Sequence, residues 1–373
     1  MNILLCPDKF KGSLSAPEVC RAIEDAINET LPHATVKSIP LADGGEGTCD
    51  LLTEWFKGTS VEVRVHGPLF DPVNARYGLS SDGRIAFIEM ASASGLMLLA
   101  PVQRNPLFTT TFGTGELIAD ALNRGVDRII LGIGGSATND AGIGMAAALG
   151  YSFESASGEL LKPTGENLIH VHTIKADRIH PRLEKVEFIA LCDVKNALYG
   201  PNGAAHVYAA QKGADKRAIE LLDDGLRNFR RVVHERFHVP VDFPGAGAAG
   251  GLGAGARVFL KATIQRGISY LIETSGLDKE IDQADIVITG EGKVDQQTFS
   301  GKVVSEIIAL TSHKSIPVLV VCGVSEIPRH EARAKGVQDI ITLVDDETPP
   351  DLAMSNAANI LKLKVQRLFS DVR

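Results

Sequence analysis

Five times along the chain, an apolar run of strand length ends in a loop of Gly, Asp, Ser and Thr and then passes into a helix-like run. The segments are ILLCPDKFKGS (3–13), IPLADGGEGT (39–48), IILGIGGSATND (129–140), FIALCDVKNA (188–197) and DIVITGEGKVD (285–295). Loops at the carboxyl ends of parallel strands are where α/β proteins bind ligands. The unpaired N–H groups of the helices that follow are natural phosphate seats. Several of these loops also carry carboxylates, which suit a metal–nucleotide site better than a bare phosphate site. The combination points to phosphoryl transfer.

The chain has 373 residues, more than one typical core accommodates and enough for two domains. Its 44% hydrophobic and 23% charged content is that of an ordinary soluble globular enzyme. A net charge of −8 argues against a nucleic-acid partner, which needs a basic surface, but leaves room for small anions held by local lysines and helix termini. Cysteines at 6, 20, 49, 192 and 322 are odd in number and form no CxxC, so neither a disulfide framework nor a Cys-rich zinc site is expected. Cys6, Cys192 and Cys322 lie in apolar runs and read as buried small hydrophobes. The start MNILLCPDKF lacks the basic-then-apolar pattern of a signal peptide, and no 18-residue apolar span occurs. The expectation is a soluble, cytoplasmic protein with no membrane partner.

The first sixty residues read β-α-β-α. A helix is expected over 15–29, where Ser15 and Glu18 have capping-box spacing and Pro17 sits in the tolerated first turn. A second helix covers 48–57 and ends at Gly58. Residues 59–89 then alternate with period two around DP and SDG turns, which is antiparallel hairpin chemistry. The α/β rhythm returns over 107–150, a strand at 186–191 leads to Asp193, and a helix follows at 215–237. From 285 the pattern is β-α-β-α-β-α, with helices at 302–312, 328–336 and 351–369. The two chain ends together supply enough strands and helices for one doubly wound sheet. The predicted fold is therefore α/β: a Rossmann/flavodoxin-like three-layer domain from residues 1–58 plus 281–373, with 59–280 inserted as a second α/β domain.

Each polar loop has a functional and a structural reading. Asp8, Lys9, Lys11 and Ser13 follow the first strand, where lysines near a helix N-terminus would sit on a moving negative charge; the alternative is a plain cap by Ser15. Asp43 and Glu46 flank Gly44 and Gly45, which would let a substrate approach the backbone, or form a turn capped at Thr48. In GIGGSATND, the glycines with Ser136, Thr138 and Asn139 can wrap an anion and Asp140 can reach a metal, unless the segment is only a tight turn. Asp193 is either a helix cap or a metal ligand or base. Glu291, Lys293, Asp295, Ser300 and Lys302 suit a magnesium–phosphate site or a catalytic base, with capping as the alternative. Two literal motif matches count for little. GAGAAG (245–250) fits the dinucleotide pattern but no clean strand leads into it, and HERFH (234–238) fits H-E-x-x-H but Val239-Pro240 ends the helix at once.

The stretches PDKFKGSLSA, LADGGEGT, AFIEMASASGL, FGTGELI, IGGSATNDAG, CDVKNALYGPNGAA, QKGA, PGAGAAGGLGAG and ITGEGKVDQQTFSGK run in order through almost the whole chain. Together they closely resemble the bacterial glycerate kinase family, type I. The resemblance implies ATP- and Mg²⁺-dependent phosphorylation of D-glycerate, with 2-phosphoglycerate as the product, in a cytoplasmic two-domain α/β enzyme. On that basis Gly134, Gly135, Ser136 and Thr138 are expected to cradle phosphate, with Asn139, Asp8, Ser13, Asp43, Gly44, Gly45 and Glu46 lining substrate or nucleotide. Lys9, Lys11 and Lys302 would neutralise phosphate or carboxylate charge. Asp193 and Asp295 are the candidate bases, and Asp193, Glu291 and Asp140 the candidate Mg²⁺ ligands. The site is expected between the domains, and a homo-oligomer stays open. The alternatives are an NAD(P)-dependent hydroxy-acid oxidoreductase resting on GAGAAG, and a noncatalytic nucleotide- or sugar-acid-binding protein.

Overall fold

The computed structural model describes residues 1–42, 44–45, 47–299 and 301–370. In chain order its strands are β1 (Asn2–Leu5), β2 (Thr35–Ser38), β3 (Thr59–His66), β4 (Pro72–Leu79), β5 (Ile85–Glu89), β6 (Arg128–Gly132) and β7 (Ser152–Glu154). They continue as β8 (Thr173–Lys175), β9 (Glu187–Leu191), β10 (Thr263–Gln265), β11 (Ile286–Val294), β12 (Val318–Ser325) and β13 (Asp339–Thr342). The chain divides into two compact units, one of residues 1–43 and 268–373, the other of 44–267.

The first unit is built on a five-stranded sheet in the order β13-β12-β11-β1-β2, every pair parallel. Counted within the unit this is the order 2-1-3-4-5, the flavodoxin-like doubly wound arrangement. The inner strands β1, β11 and β12 carry near-continuous apolar runs because both faces are covered, whereas the edge strand β2 (Thr35–Ser38) is polar and partly exposed. On one face Ile3, Leu5, Ile288 and Val321 pack with Ile23 and Ile27 of the helix Ala16–Thr30 and Leu361 and Val365 of the helix Ala357–Ser370. Each such fully buried aliphatic side chain contributes roughly 1.5–3 kcal/mol. The opposite face, with Leu4, Val287 and Val320 equally buried, takes the helix Val303–Ser312 against β11 and β12. The helix 16–30 begins as its sequence suggests, since Glu18 reaches back to accept from the Ser15 amide at 2.8 Å.

The second unit holds a six-stranded sheet in the order β10-β9-β6-β5-β4-β3, plus the small β7-β8 pair. β3, β4 and β5 pair antiparallel, as their period-two alternation suggests, and β5, β6, β9 and β10 pair parallel. The register puts Glu89, Gly132, Leu191 and Gln265 in one row at the carboxyl ends of these four strands. Every loop leaving that row therefore starts at the same edge of the sheet.

The units part at 43/44 and 267/268, whereas the change of pattern after Gly58 and the return of the α/β pattern near 285 suggested boundaries at 58/59 and 280/281. The reason is packing. The helix Thr48–Trp55 belongs to the second unit because the Gly47 and Cys49 amides at its start donate to Glu89 at the end of β5, at 2.8 and 3.1 Å. The helix Leu277–Ile281 packs on Val303–Ser312 in the first unit. A change from helical to alternating pattern marks a change of element, not of core. Among the described residues no helix is long and apolar enough to cross a membrane.

Candidate functional site

In the first unit the strand order reverses between β1 and β11, since β2 lies on one side of β1 and all later strands on the other. At such a switch point the two outgoing loops diverge to opposite faces and leave a crevice for ligand. The loops here are 6–15 and 295–302. The first is tied to β11 by the Asp8 amide donating to the Gly290 carbonyl (2.8 Å) and the Thr289 hydroxyl donating to the Cys6 carbonyl (2.9 Å). Gly292 allows the approach, because a Cβ there would lie 3.1 Å from the Lys11 backbone nitrogen.

Asp8 is buried and its Oδ1 accepts from the Lys9 amide at 2.6 Å. Lys9 is half-buried and Lys11 exposed. Within β11, Glu291 is largely buried and lies 3.7 Å from the Lys302 ammonium, which stands at the end of the second loop and the start of the helix Val303–Ser312. Asp8, Lys9, Lys11, Glu291 and Lys302 thus share the switch point. Two predicted partners are turned to structural work. Asp295 Oδ1 accepts from the Gln297 and Thr298 amides at 2.8 and 3.3 Å and caps the short turn Gln296–Phe299, and its Oδ2 is 3.8 Å from Lys293. The Ser13 hydroxyl donates to the Met354 carbonyl at 3.1 Å. Asp43, Glu46 and Ser300 lie outside the described residues.

In the second unit Asp193 is exposed one residue beyond Cys192, and its Oδ1 accepts from the Gly267 amide at 3.1 Å. Gly44, at φ +84°, presses on the same carboxylate; a Cβ on it would fall 2.0 Å from Asp193 Oδ2 and 2.8 Å from Gly267 Cα. No other residue type fits that backbone position. Gly45 approaches the next loop, its Cα 3.6 Å from where a Gly134 Cβ would stand.

The loop after β6 carries the anion-binding pattern. Gly134 and Gly135 are exposed, Gly135 has φ +72°, and among the described residues neither amide donates to a protein acceptor. Successive free N–H groups around a left-handed residue form an anion-binding concavity. Beyond them the chain dives inward, with Thr138, Asn139 and Asp140 fully buried. Thr138 Oγ1 and both polar atoms of the Asn139 amide have no hydrogen-bond partner among the described residues. Asp140 is differently placed from the metal ligand expected of it. Its Oδ2 accepts from the Thr111 amide and hydroxyl (both 2.8 Å) and the Gly144 amide (3.2 Å), and its Oδ1 from the Gly142 amide (3.2 Å). Burial pushes this carboxyl up against the pull of those donors, and the group serves as an internal staple.

Sequence reasoning missed Lys212, which lies inside the unit with only 3% exposure. Its ammonium donates to Ser136 Oγ and to the Thr138 carbonyl, each at 2.7 Å. Burial pulls its pKa down to about 7, with Asp140 partly opposing. The available signals were the stretch QKGA among the family-like segments and its small-residue setting YAAQKGA, where one lysine stands among alanines and a glycine.

The decoys resolve on geometry. The glycines of 244–256 serve protein contacts. A Cβ on Gly250 would fall 2.1 Å from the Thr138 carbonyl, and one on Gly255 would fall 2.2 Å from that of Ala141, so the segment backs the 133–142 loop. His234 is in the helix Lys216–Phe237 and His238 caps its end at φ +55°, its amide still donating to the His234 carbonyl at 3.1 Å, but no third ligand joins the pair among the described residues. Among the described residues no group of three His, Cys, Asp or Glu side chains is arranged to hold a metal. All five thiols are buried, and burial pushes those of Cys20 and Cys322 up to about 12.

Residues 3–373 match the model of the glycerate kinase family. A glycerate kinase from Halalkalibacterium halodurans is 42% identical over 362 residues, covering 97% of this chain and 95% of its own. A glycerate 2-kinase from Escherichia coli K12 is 44% identical over 324 residues, covering 87% and 85%. The crystal structure of a protein assigned as glycerate kinase 2 from Salmonella typhimurium LT2 superposes with a TM-score of 0.89 at 41% identity, covering 100% of this chain and 98% of that one.

Proposed function

The chain belongs to the glycerate kinase family, and from that footing we propose that it transfers the γ-phosphoryl group of ATP to the 2-hydroxyl of D-glycerate, giving 2-phosphoglycerate. The observation that carries the chemistry is the switch point of the first unit, where the loop bearing Asp8, Lys9 and Lys11 leaves β1 beside β11 with Glu291 and its ion partner Lys302. Phosphoryl transfer needs little covalent help from protein; it needs positioned cations and a metal. The donor set fits Mg²⁺, a hard ion usually held in kinases by one or two carboxylates together with substrate phosphates. Glu291 and Asp8 would hold it, and when bound it supplies charge neutralisation across the phosphates.

With the phosphates bound at this crevice, the lysines would put positive charge near oxygens that become more negative in the transition state, which lowers the barrier more than it favours the ground state. In the second unit the Gly134 and Gly135 amides with the Ser136 hydroxyl offer donors to an anionic oxygen. Asp193 is our proton acceptor for the attacking hydroxyl: it is exposed at a strand end and oriented by the Gly267 amide. Dependence on ATP is the basis for placing the enzyme in the cytoplasm.

The test is ADP release from ATP, Mg²⁺ and D-glycerate, coupled separately to 2-phosphoglycerate and 3-phosphoglycerate detection. Glycerate-dependent ADP with 2-phosphoglycerate is expected. Formation of the 3-phosphate instead would correct the hydroxyl, and binding without turnover would leave a noncatalytic binding protein.

A further inference from the structure

Lys212 and Ser136 are 76 residues apart in the chain, yet the lysine ammonium meets the serine hydroxyl at 2.7 Å inside the second unit. The serine accepts this bond, so its own proton is directed elsewhere, and among the described residues that proton has no acceptor. Ser136 keeps 7% exposure and directly follows the exposed Gly134 and Gly135 amides. A buried ammonium costs stability unless it is well paired, and a lysine used only for packing would be better replaced by an apolar chain. Here two of its protons are spent on one short loop, on the Ser136 hydroxyl and on the Thr138 carbonyl. A donor whose oxygen already accepts from a cation is polarised and donates more strongly onward.

We propose that Lys212 is a positioning residue for the reaction: from behind, it fixes the Ser136 hydroxyl as an outward donor to an anionic oxygen of a substrate. The ligand chemistry is a carboxylate or phosphate oxygen, received by that hydroxyl together with the Gly134 and Gly135 amides. The proposal rests on the kinase activity above. The depressed ammonium basicity agrees with it, because an anion arriving at the front of the loop would be repaid by a fully charged lysine behind it.

The experiment is a double-mutant cycle with Ser136→Ala, Lys212→Met and the pair in the full-length chain, reading kcat and KM for ATP and for D-glycerate separately, with Lys212→Arg as the conservative variant. We expect Ser136→Ala to raise one KM about tenfold or more. A rise for glycerate identifies the carboxylate, and a rise for ATP the phosphate. Lys212→Met should match the serine variant within about threefold, the double variant should lose little more than either single, and Lys212→Arg should recover part of the loss. Losses that multiply, or a Lys212→Met enzyme with both KM values within twofold of wild type, would overturn the proposal while leaving the kinase activity standing. Should Lys212→Met not fold, Ser136→Ala alone decides, since unchanged KM values there remove the donor on which the proposal depends. A wild-type enzyme without glycerate-dependent turnover would refute the kinase reading first, and this proposal with it.

Discussion

Replacing Lys212 by Met should change the stability of the second unit in a way that depends on pH, and the sign follows from the burial. The Lys212 ammonium titrates at about 7 in the folded protein, below its ordinary value of 10.5, because burial disfavours the charge. Between those two values the unfolded chain binds about one more proton than the folded one, so wild-type stability rises with pH in that window. Below pH 7 both states hold the proton and the dependence disappears. With methionine the linkage is gone. The stability of wild type relative to Lys212→Met should therefore grow by ~2 kcal/mol from pH 7 to pH 9, after allowing for half-titration at the lower end. At pH 7 two effects compete. Methionine removes the cost of a buried ammonium but strands the buried Thr138 carbonyl, worth about 1–3 kcal/mol. The variant should come closest to wild type at neutral pH and fall behind as the pH rises. The single tryptophan, Trp55, lies in the second unit, so urea unfolding followed by its fluorescence at pH 7, 8 and 9 reads the relevant core. Taking the difference between the two proteins cancels the other titrating groups. A difference that stays flat from pH 7 to 9 would refute the buried-ammonium reasoning.

Other outcomes follow from the same geometry. Asp193→Asn should lower kcat by about 10² with KM values nearly kept, because amide replacement preserves shape and removes the proton acceptor; steady-state ADP release near the wild-type rate would move that role elsewhere. Gly44→Ala forces a side chain to within 2.0 Å of Asp193 Oδ2 at a left-handed backbone position. It should cost about 1–3 kcal/mol and reduce turnover together, with a wild-type melting temperature as the disproof. Thr138→Val deletes a buried hydroxyl that has no partner among the described residues, so stability should hold within about 1 kcal/mol or improve; a loss above about 2 kcal/mol in denaturant unfolding would reveal a partner for that hydroxyl.

Much of the architecture was legible in the sequence. Apolar runs ending in glycine-rich loops marked parallel strands β1, β6, β9 and β11, and period-two alternation over 59–89 marked the antiparallel pairing of β3, β4 and β5, while β5 also pairs parallel with β6. Ser15, Glu18 and Pro17 marked the start of a helix that runs Ala16–Thr30, and the cysteines of apolar runs are buried. These features are local: periodicity, capping and turn chemistry act between residues a few positions apart. Motif order along the chain also carried the family. The tertiary structure decided which loops meet and what each polar group does there. The strand-order reversal brings residues near 8 beside residues near 291, which no local pattern encodes. Asp140 and Asp295 look alike as carboxylates in glycine-rich loops, yet four donors hold the first inside the protein and the second caps a turn. Nothing local in QKGA shows that Lys212 is buried, because the Ser136 hydroxyl it meets is 76 positions away in the chain. Burial and hydrogen-bond satisfaction are set by distant neighbours, so they come into being only when the chain has folded.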